Sequence, residues 1–256
     1  MIRIKDLNLV CSRQELAAIP DGKVLINTIN AHSYNTALKD SLFQEALLNG
    51  DYLIPDGASI VKACRWLKAK SLPKERIAGW DLFEYEMNKL EEMSKKLAND
   101  SEAHSAQQSA KKVMFMGSSE RVLALIREKA ALLYPHLEVV SYSPPYKPQF
   151  SDADNAAIIS AINDANPDLL WIGMTAPKQE KWTYSHWDEL DIHCHVGTVG
   201  AVFDFFAGTY QRAPLWWQNH SLEWLYRLIK EPKRMWRRYI IGNTLFLWNV
   251  LKEKLQ

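Results

Sequence analysis

Asp56, in the run Ile54-Pro55-Asp56-Gly57-Ala58-Ser59, follows a short apolar segment and precedes a helical pattern. Sites in open α/β sheets gather at the carboxyl ends of strands. A carboxylate there can act as a general base toward an attacking hydroxyl. Asp also builds turns and caps helices, and the local pattern does not choose between the two roles. Thr28 and Asn30, at the end of the first strong apolar run, alternate onto one side of the chain. Their hydroxyl and amide suit sugar hydroxyls or an acetamido group, or else the turn chemistry of a strand end. Arg76 and Asp81, in Arg76-Ile77-Ala78-Gly79-Trp80-Asp81, offer a guanidinium for a phosphate or carboxylate. Asp81 would cap the next helix or hold Arg76, and a plain ion pair between them is an equal reading.

Three further turns lie between a strand and a helix. Met116-Gly117-Ser118-Ser119 and Gly197-Thr198-Val199-Gly200 present backbone N–H groups of the kind that bind diphosphates. Neither is a GxGxxG or P-loop pattern, and glycine also serves tight turns. In Thr175-Ala176-Pro177-Lys178-Gln179-Glu180, Pro177 suits a first helical turn, and Lys178 and Gln179 are placed to reach a nucleotide sugar or to start a helix. No metal site is expected. His193 and His195 share one side of a strand without a third ligand at a recognised spacing, which favours a core or surface role. Asp152-Ala153-Asp154 reads as capping charge rather than a nucleotide–metal motif. There is no HExxH or GxSxG pattern, and no dinucleotide fingerprint of an oxidoreductase or epimerase.

These candidates need elements to carry them. Strands are expected at 24–28, 52–54, 112–116, 137–141, 169–172 and 192–196. Helices are expected at 33–48, 59–67, 82–97, 120–133, 152–165, 178–190 and 199–207. The alternation predicts an α/β chain, with a Rossmann-like, mostly parallel sheet flanked by helices. The polar stretch 99–111 reads as a flexible linker within a core spanning 1–211. A C-terminal basic and aromatic helical appendage spans 212–256.

That appendage differs in composition from the rest. It holds nine Lys/Arg against three Asp/Glu, and five of the ten Trp. Its balance is +6 in a chain of net charge +1, so residues 1–211 carry −5. Arg227, Lys230, Arg234, Arg237 and Arg238 fall near one stripe of a continued helix, with Pro232 starting a new segment. Interleaved cations and aromatics suit an anionic membrane surface or a solvated face with its Trp residues packed inward. The near-zero net charge and the lack of a recognition motif argue against nucleic acid. The apolar run 239–251 is shorter than the roughly 20 residues that span a bilayer. No signal peptide is expected from Met1-Ile2-Arg3-Ile4-Lys5-Asp6. Three well-separated Cys (Cys11, Cys64, Cys194) fit a reducing compartment. Part of the tail's apolar surface also suits pairing with another subunit.

Taken together, these segments resemble the WecG/TagA/CpsF family of bacterial glycosyltransferases, from about Val24 to about Arg238. The carriers are Thr28-Ile29-Asn30, Pro55-Asp56-Gly57, the 76–82 segment, the 173–180 segment, Gly197-Thr198-Val199-Gly200 with Phe203-Asp204, Arg212-Ala213-Pro214 and the 222–228 segment. The resemblance implies an inverting, metal-independent transfer, without cofactor, from a UDP-sugar to a polyprenyl-diphosphate-linked sugar. It implies a peripheral protein at the cytoplasmic face of the membrane, engaged in cell-surface polysaccharide synthesis. It assigns the base to Asp56 and substrate contacts to Thr28, Asn30, Arg76 and Gln179. Arg227, Arg234 and Arg237 would complete the site and hold the lipid diphosphate. Trp80 stands where a small residue is usual, the 143–148 turn is longer than the family's, and so is the 99–111 stretch. A non-catalytic sugar-nucleotide-binding or membrane-surface scaffold is the alternative.

Overall fold

The computed structural model describes residues 1–104 and 110–256; for residues 100–104, Asn219 and Arg234 only the backbone is described. Six strands, β1 (Val24–Ile29), β2 (Tyr52–Pro55), β3 (Lys112–Gly117), β4 (Glu138–Tyr142), β5 (Leu169–Gly173) and β6 (His195–Thr198), form one sheet in the order β2-β1-β6-β5-β3-β4. The pairs β1–β6, β6–β5, β5–β3 and β3–β4 run parallel. The chain thus has the expected α/β, Rossmann-like fold, with helices flanking a parallel sheet and helices at its C-terminal end.

Local chemistry sets the element ends. Ser119 caps α5 (Glu120–Leu133), and Ser151 with Asp154 closes a capping box on α6 (Asp152–Ala165). Asp154 therefore serves as the capping charge expected of it. The single helix expected at 33–48 is two, α1 (Ala31–Ala37) and α2 (Ser41–Leu48), because the Asp40 side chain accepts from the Phe43 N–H and opens a new helix. α3 covers Ala58–Leu67. α4 runs Gly79–His104, so residues 99–104 of the expected linker are helical, and 105–109 lie outside the described residues. The helix expected at 178–190 ends early: α7 (Lys178–Ser185) is followed by a short 3-10 turn, Trp187–Glu189. β6 lies three residues beyond its expected start; Ile192 and Cys194 are buried ahead of it, and the Cys194 carbonyl accepts from the Val24 N–H at 3.2 Å. α8 (Gly200–Ala207), α9 (Leu215–Asn219), α10 (Glu223–Lys230), α11 (Pro232–Trp236) and α12 (Gly242–Leu255) follow, with a π-helical turn over Arg237–Ile241. Pro232 opens α11 as expected.

The chain divides into two compact units. One comprises Met1–Ala17, Thr28–Ala78 and Gln211–Gln256; the other comprises Ala18–Asn27 and Gly79–Tyr210. In the second unit, side-chain alternation along β3 and β5 sends Met114, Met116, Leu170 and Ile172 to one face, with Ile158 and Ile162 of α6 and Trp182 of α7. Phe115 and Trp171 go to the other face, against Phe83 of α4 and Phe203 and Phe206 of α8. His195 is a core histidine. Its Nδ1 meets Glu86 Oε1 and its Nε2 meets the Pro20 carbonyl, each at 3.0 Å.

In the first unit, α12 is latched by a buried carboxylate. Glu253 accepts from the Ile4 N–H at 3.0 Å, the Lys5 N–H at 2.7 Å and the Tyr34 hydroxyl at 3.0 Å. Asn35 of α1 donates to the Gly242 carbonyl at 2.7 Å and accepts from Asn249 at 3.1 Å. Phe246 packs edge-on against Tyr34.

Candidate active site

Asp56 is fixed by its backbone before its side chain is considered. Its N–H donates to the Ile29 carbonyl at 2.9 Å and the Ile54 carbonyl at 3.0 Å, tying the end of β2 to the end of β1. The N-cap of α3 is Gly57, which has no side chain of its own to cap the helix. A Cβ on Gly57 would lie 3.4 Å from the Asn30 Cβ, so the Asp56-Gly57 turn packs on Asn30. Asn30 itself caps α1: its Oδ1 accepts from the His32 and Ser33 N–H groups at 3.0 and 3.1 Å. The cap uses the carbonyl end of the amide, and Nδ2 takes no part in it. Thr28 precedes it within β1.

The Arg76 segment joins this turn through the Ile77 N–H, which donates to the Pro55 carbonyl at 3.1 Å. Arg76 Nη1 lies 3.0 Å from Glu223 Oε2, and Arg212 Nε lies 3.9 Å from Glu223 Oε1. All three side chains are largely buried. The sequence did not point to Glu223, which stands in the first turn of α10 and bridges two cations. His32, on α1 beside Asn30, has its imidazole pushed down to about 4, first by burial and then by the Arg238 guanidinium. Within this unit the structure therefore brings together Asp56, Asn30 and the Arg76 segment, and sets Arg238 against His32.

The other tail arginines are on helices. Arg227 lies in the last turn of α10 and Arg234 on α11. Arg237 opens the π-helical turn with its guanidinium 5.3 Å from the Trp236 ring centre. The tail exposes Leu215, Trp216, Ile229, Trp236, Ile240, Ile241, Leu247 and Trp248 among these cations. Among the described residues no helix is long and apolar enough to cross a membrane.

The second unit holds the remaining candidates. Gly117 has φ +120°, and a Cβ there would meet the Gly173 carbonyl oxygen at 2.5 Å, so only glycine fits. A Cβ on Gly197 would fall 2.2 Å from the Trp171 ring, so that glycine makes room for a core aromatic. Both glycines thus have a packing reason for their identity. Asp81 is in the first turn of α4. Thr175 has φ +71°, the Ala176–Pro177 peptide is cis, and Pro177 is the N-cap of α7 rather than part of its first turn. Lys178 Nζ is committed to the Lys147 carbonyl at 2.6 Å and lies over the Phe150 ring. Gln179 is buried and donates from Nε2 to Glu180 Oε1 at 2.9 Å. Burial pushes the Glu180 carboxyl up to about 7. Among the described residues no group of His, Cys, Asp and Glu is arranged to hold a metal ion.

Comparison with known proteins adds a family to this geometry. The model of the "Glycosyl transferase WecG/TagA/CpsF family" matches residues 2–256. A Bacillus spizizenii protein named N-acetylglucosaminyldiphosphoundecaprenol N-acetyl-beta-D-mannosaminyltransferase is 31% identical over 229 residues, 90% of this chain and 79% of the relative. Proteins of the same name from Bacillus subtilis and Staphylococcus aureus (strain MW2) are 28% and 26% identical. Each covers 90% of this chain, and the matches span 80% and 81% of those relatives.

Proposed function

The chain belongs to the WecG/TagA/CpsF glycosyl transferase family and is a glycosyltransferase; from that premise we propose that it moves an N-acetylmannosamine-type sugar from a UDP-sugar to a polyprenyl-diphosphate-linked sugar. The acceptor class follows the relatives, whose name specifies an N-acetylglucosaminyl-diphosphoundecaprenol acceptor. The product belongs to cell-surface polymer synthesis.

The single observation that carries the mechanism is the Asp56 turn. Two backbone hydrogen bonds fix it, it packs on Asn30, and the Arg76 segment is tied to it. Asp56 takes the proton from the acceptor hydroxyl. The hydroxyl oxygen forms a bond to the anomeric carbon as the bond from that carbon to the diphosphate oxygen breaks. UDP departs with the bonding electrons from the opposite face, so the anomeric centre inverts. Guanidinium groups supply the charge stabilisation the leaving diphosphate needs. Arg76, Arg227, Arg234 and Arg237 are assigned that work, without a metal ion. Thr28 and Asn30 contact sugar, and Gln179 with Asp81 and the Gly117 and Gly197 turns serve the donor. The exposed apolar and basic tail holds the protein against anionic lipid on the cytoplasmic face, where a lipid-linked acceptor is found.

The deciding assay uses UDP-N-acetylmannosamine and a short-chain polyprenyl-diphosphate N-acetylglucosamine. Wild-type protein should transfer the sugar. Asp56→Asn should lose about 10²–10⁴ in kcat, the value of a general base, with unchanged melting. Near-wild-type turnover in that variant removes Asp56 from the reaction.

A further inference from the structure

Gln179 and Glu180 are adjacent in sequence and both almost wholly buried, at 3% and 2% exposure. Above about pH 7 the Glu180 side chain is a carboxylate, which only accepts hydrogen bonds, whereas an amide has one donating and one accepting end. The bond from Gln179 Nε2 to Glu180 Oε1 at 2.9 Å therefore decides which way the amide faces. Its carbonyl oxygen, Oε1, is left on the other side with no donor, and Glu180 Oε2 also lacks one. Buried acceptors without partners are costly and rare. Gly200 packs close against Gln179 Oε1, and only a residue without a side chain fits there. A Cβ on Gly200 would lie 2.9 Å from that oxygen and 3.1 Å from the Thr175 backbone nitrogen.

We propose that Glu180 is a positioning residue: it locks the Gln179 amide so that Oε1, beside the bare Gly200 backbone, accepts a hydrogen bond from an N–H or O–H group of the sugar-nucleotide donor. This rests on the reading that the chain takes a UDP-sugar. Glu180 touches no substrate; it acts through Gln179. The donor's N–H or O–H supplies what the buried oxygen lacks, so an analogue without that group is rejected at this point.

The test is calorimetric titration of UDP-N-acetylmannosamine into wild type, Gln179→Ala, Glu180→Gln, the double variant and Gly200→Ala. In Glu180→Gln the new side chain both donates and accepts, so the neighbouring amide can turn over. Affinity should fall roughly tenfold, about the worth of one hydrogen bond, and Gln179→Ala should lose as much. The double variant should bind no more weakly than Gln179→Ala, because the effect of Glu180 passes through Gln179. Gly200→Ala crowds the same oxygen and should also weaken binding. A Glu180→Gln protein that binds like wild type, or losses that multiply in the double variant, overturns the proposal. If wild type binds no UDP-N-acetylmannosamine, the donor reading fails on its own. A ligand-free measurement then decides the rest: the Gln179 side-chain amide signal, assigned by its loss in Gln179→Ala, should shift in Glu180→Gln. A signal that stays in place overturns the lock.

Discussion

Glu223 draws Arg76 and Arg212 together from positions far apart in the chain, and its side chain is 16% exposed. Replacing it with Gln keeps the shape but removes the charge between two guanidinium groups. Hydrogen bonds to charged groups are worth about 1.5–3 kcal/mol, and the lower figure corresponds to a fall of roughly 3–6 °C in Tm for a chain of this size. Differential scanning fluorimetry should show that fall, and transfer should drop with it as the guanidinium of Arg76 loses its fixed direction. Glu180 behaves in the opposite sense. Its carboxyl is raised by burial from an ordinary 4.5 to about 7. Between those values the unfolded chain releases a proton that the folded chain keeps. Stability therefore falls as pH rises through that window and stays lowered above it. Glu180→Gln has no such titration, so its Tm should pull ahead of wild type between about pH 4.5 and 7 and hold the lead at pH 8. A constant gap would mean the group does not titrate there. Asp56 and Asn30 could be singled out in the sequence because each sits in a short local signal beside a strand end, and Arg76 because it stands just before a helix start. Glu223 could not, because its partner Arg76 is 147 positions away, and no local pattern carries such a pair.

At the scale of elements, the helices with side-chain caps were the easiest to read. α5 and α6 run over the expected residues because Ser119 and Ser151 mark their starts. Apolar periodicity carried the reading straight through Asp40, where a cap divides α1 from α2. β6 was misplaced because burial of Ile192 and Cys194 imitates a strand. The tail was legible in composition, but its anchoring on α1 was not. Removing the residues after Gln211 takes away Glu253, and with it the acceptor for the Ile4 and Lys5 N–H groups and the Tyr34 hydroxyl. Such a chain should lose lipid-acceptor transfer altogether and also melt lower. Glu253→Gln, which leaves the tail in place, should lower the melting temperature alone. Full transfer by the shortened chain would remove the tail from the reaction.

At the scale of the whole molecule, charge is unevenly dealt: −5 over residues 1–211 and +6 over 212–256. Each basic residue near an anionic leaflet contributes about 1 kcal/mol, an attraction that salt screens. Flotation with phosphatidylglycerol vesicles should therefore carry the protein at low salt and release much of it at high salt. Phosphatidylcholine vesicles should carry little. Equal binding to both would assign the contact to the exposed Trp, Leu and Ile side chains instead. EDTA should leave transfer intact, whereas a loss reversed only by added Mg²⁺ or Mn²⁺ would bring a divalent ion into the reaction. The Glu253 latch bears on how the molecule is made. The amides of Ile4 and Lys5 find their acceptor only after 248 or more further positions have been added. At about 5–20 residues per second that is a wait of roughly 12–50 s on the ribosome. The early segment spends that interval exposed to chaperones and proteases, and a stalled or prematurely released polypeptide has no means of closing the ring.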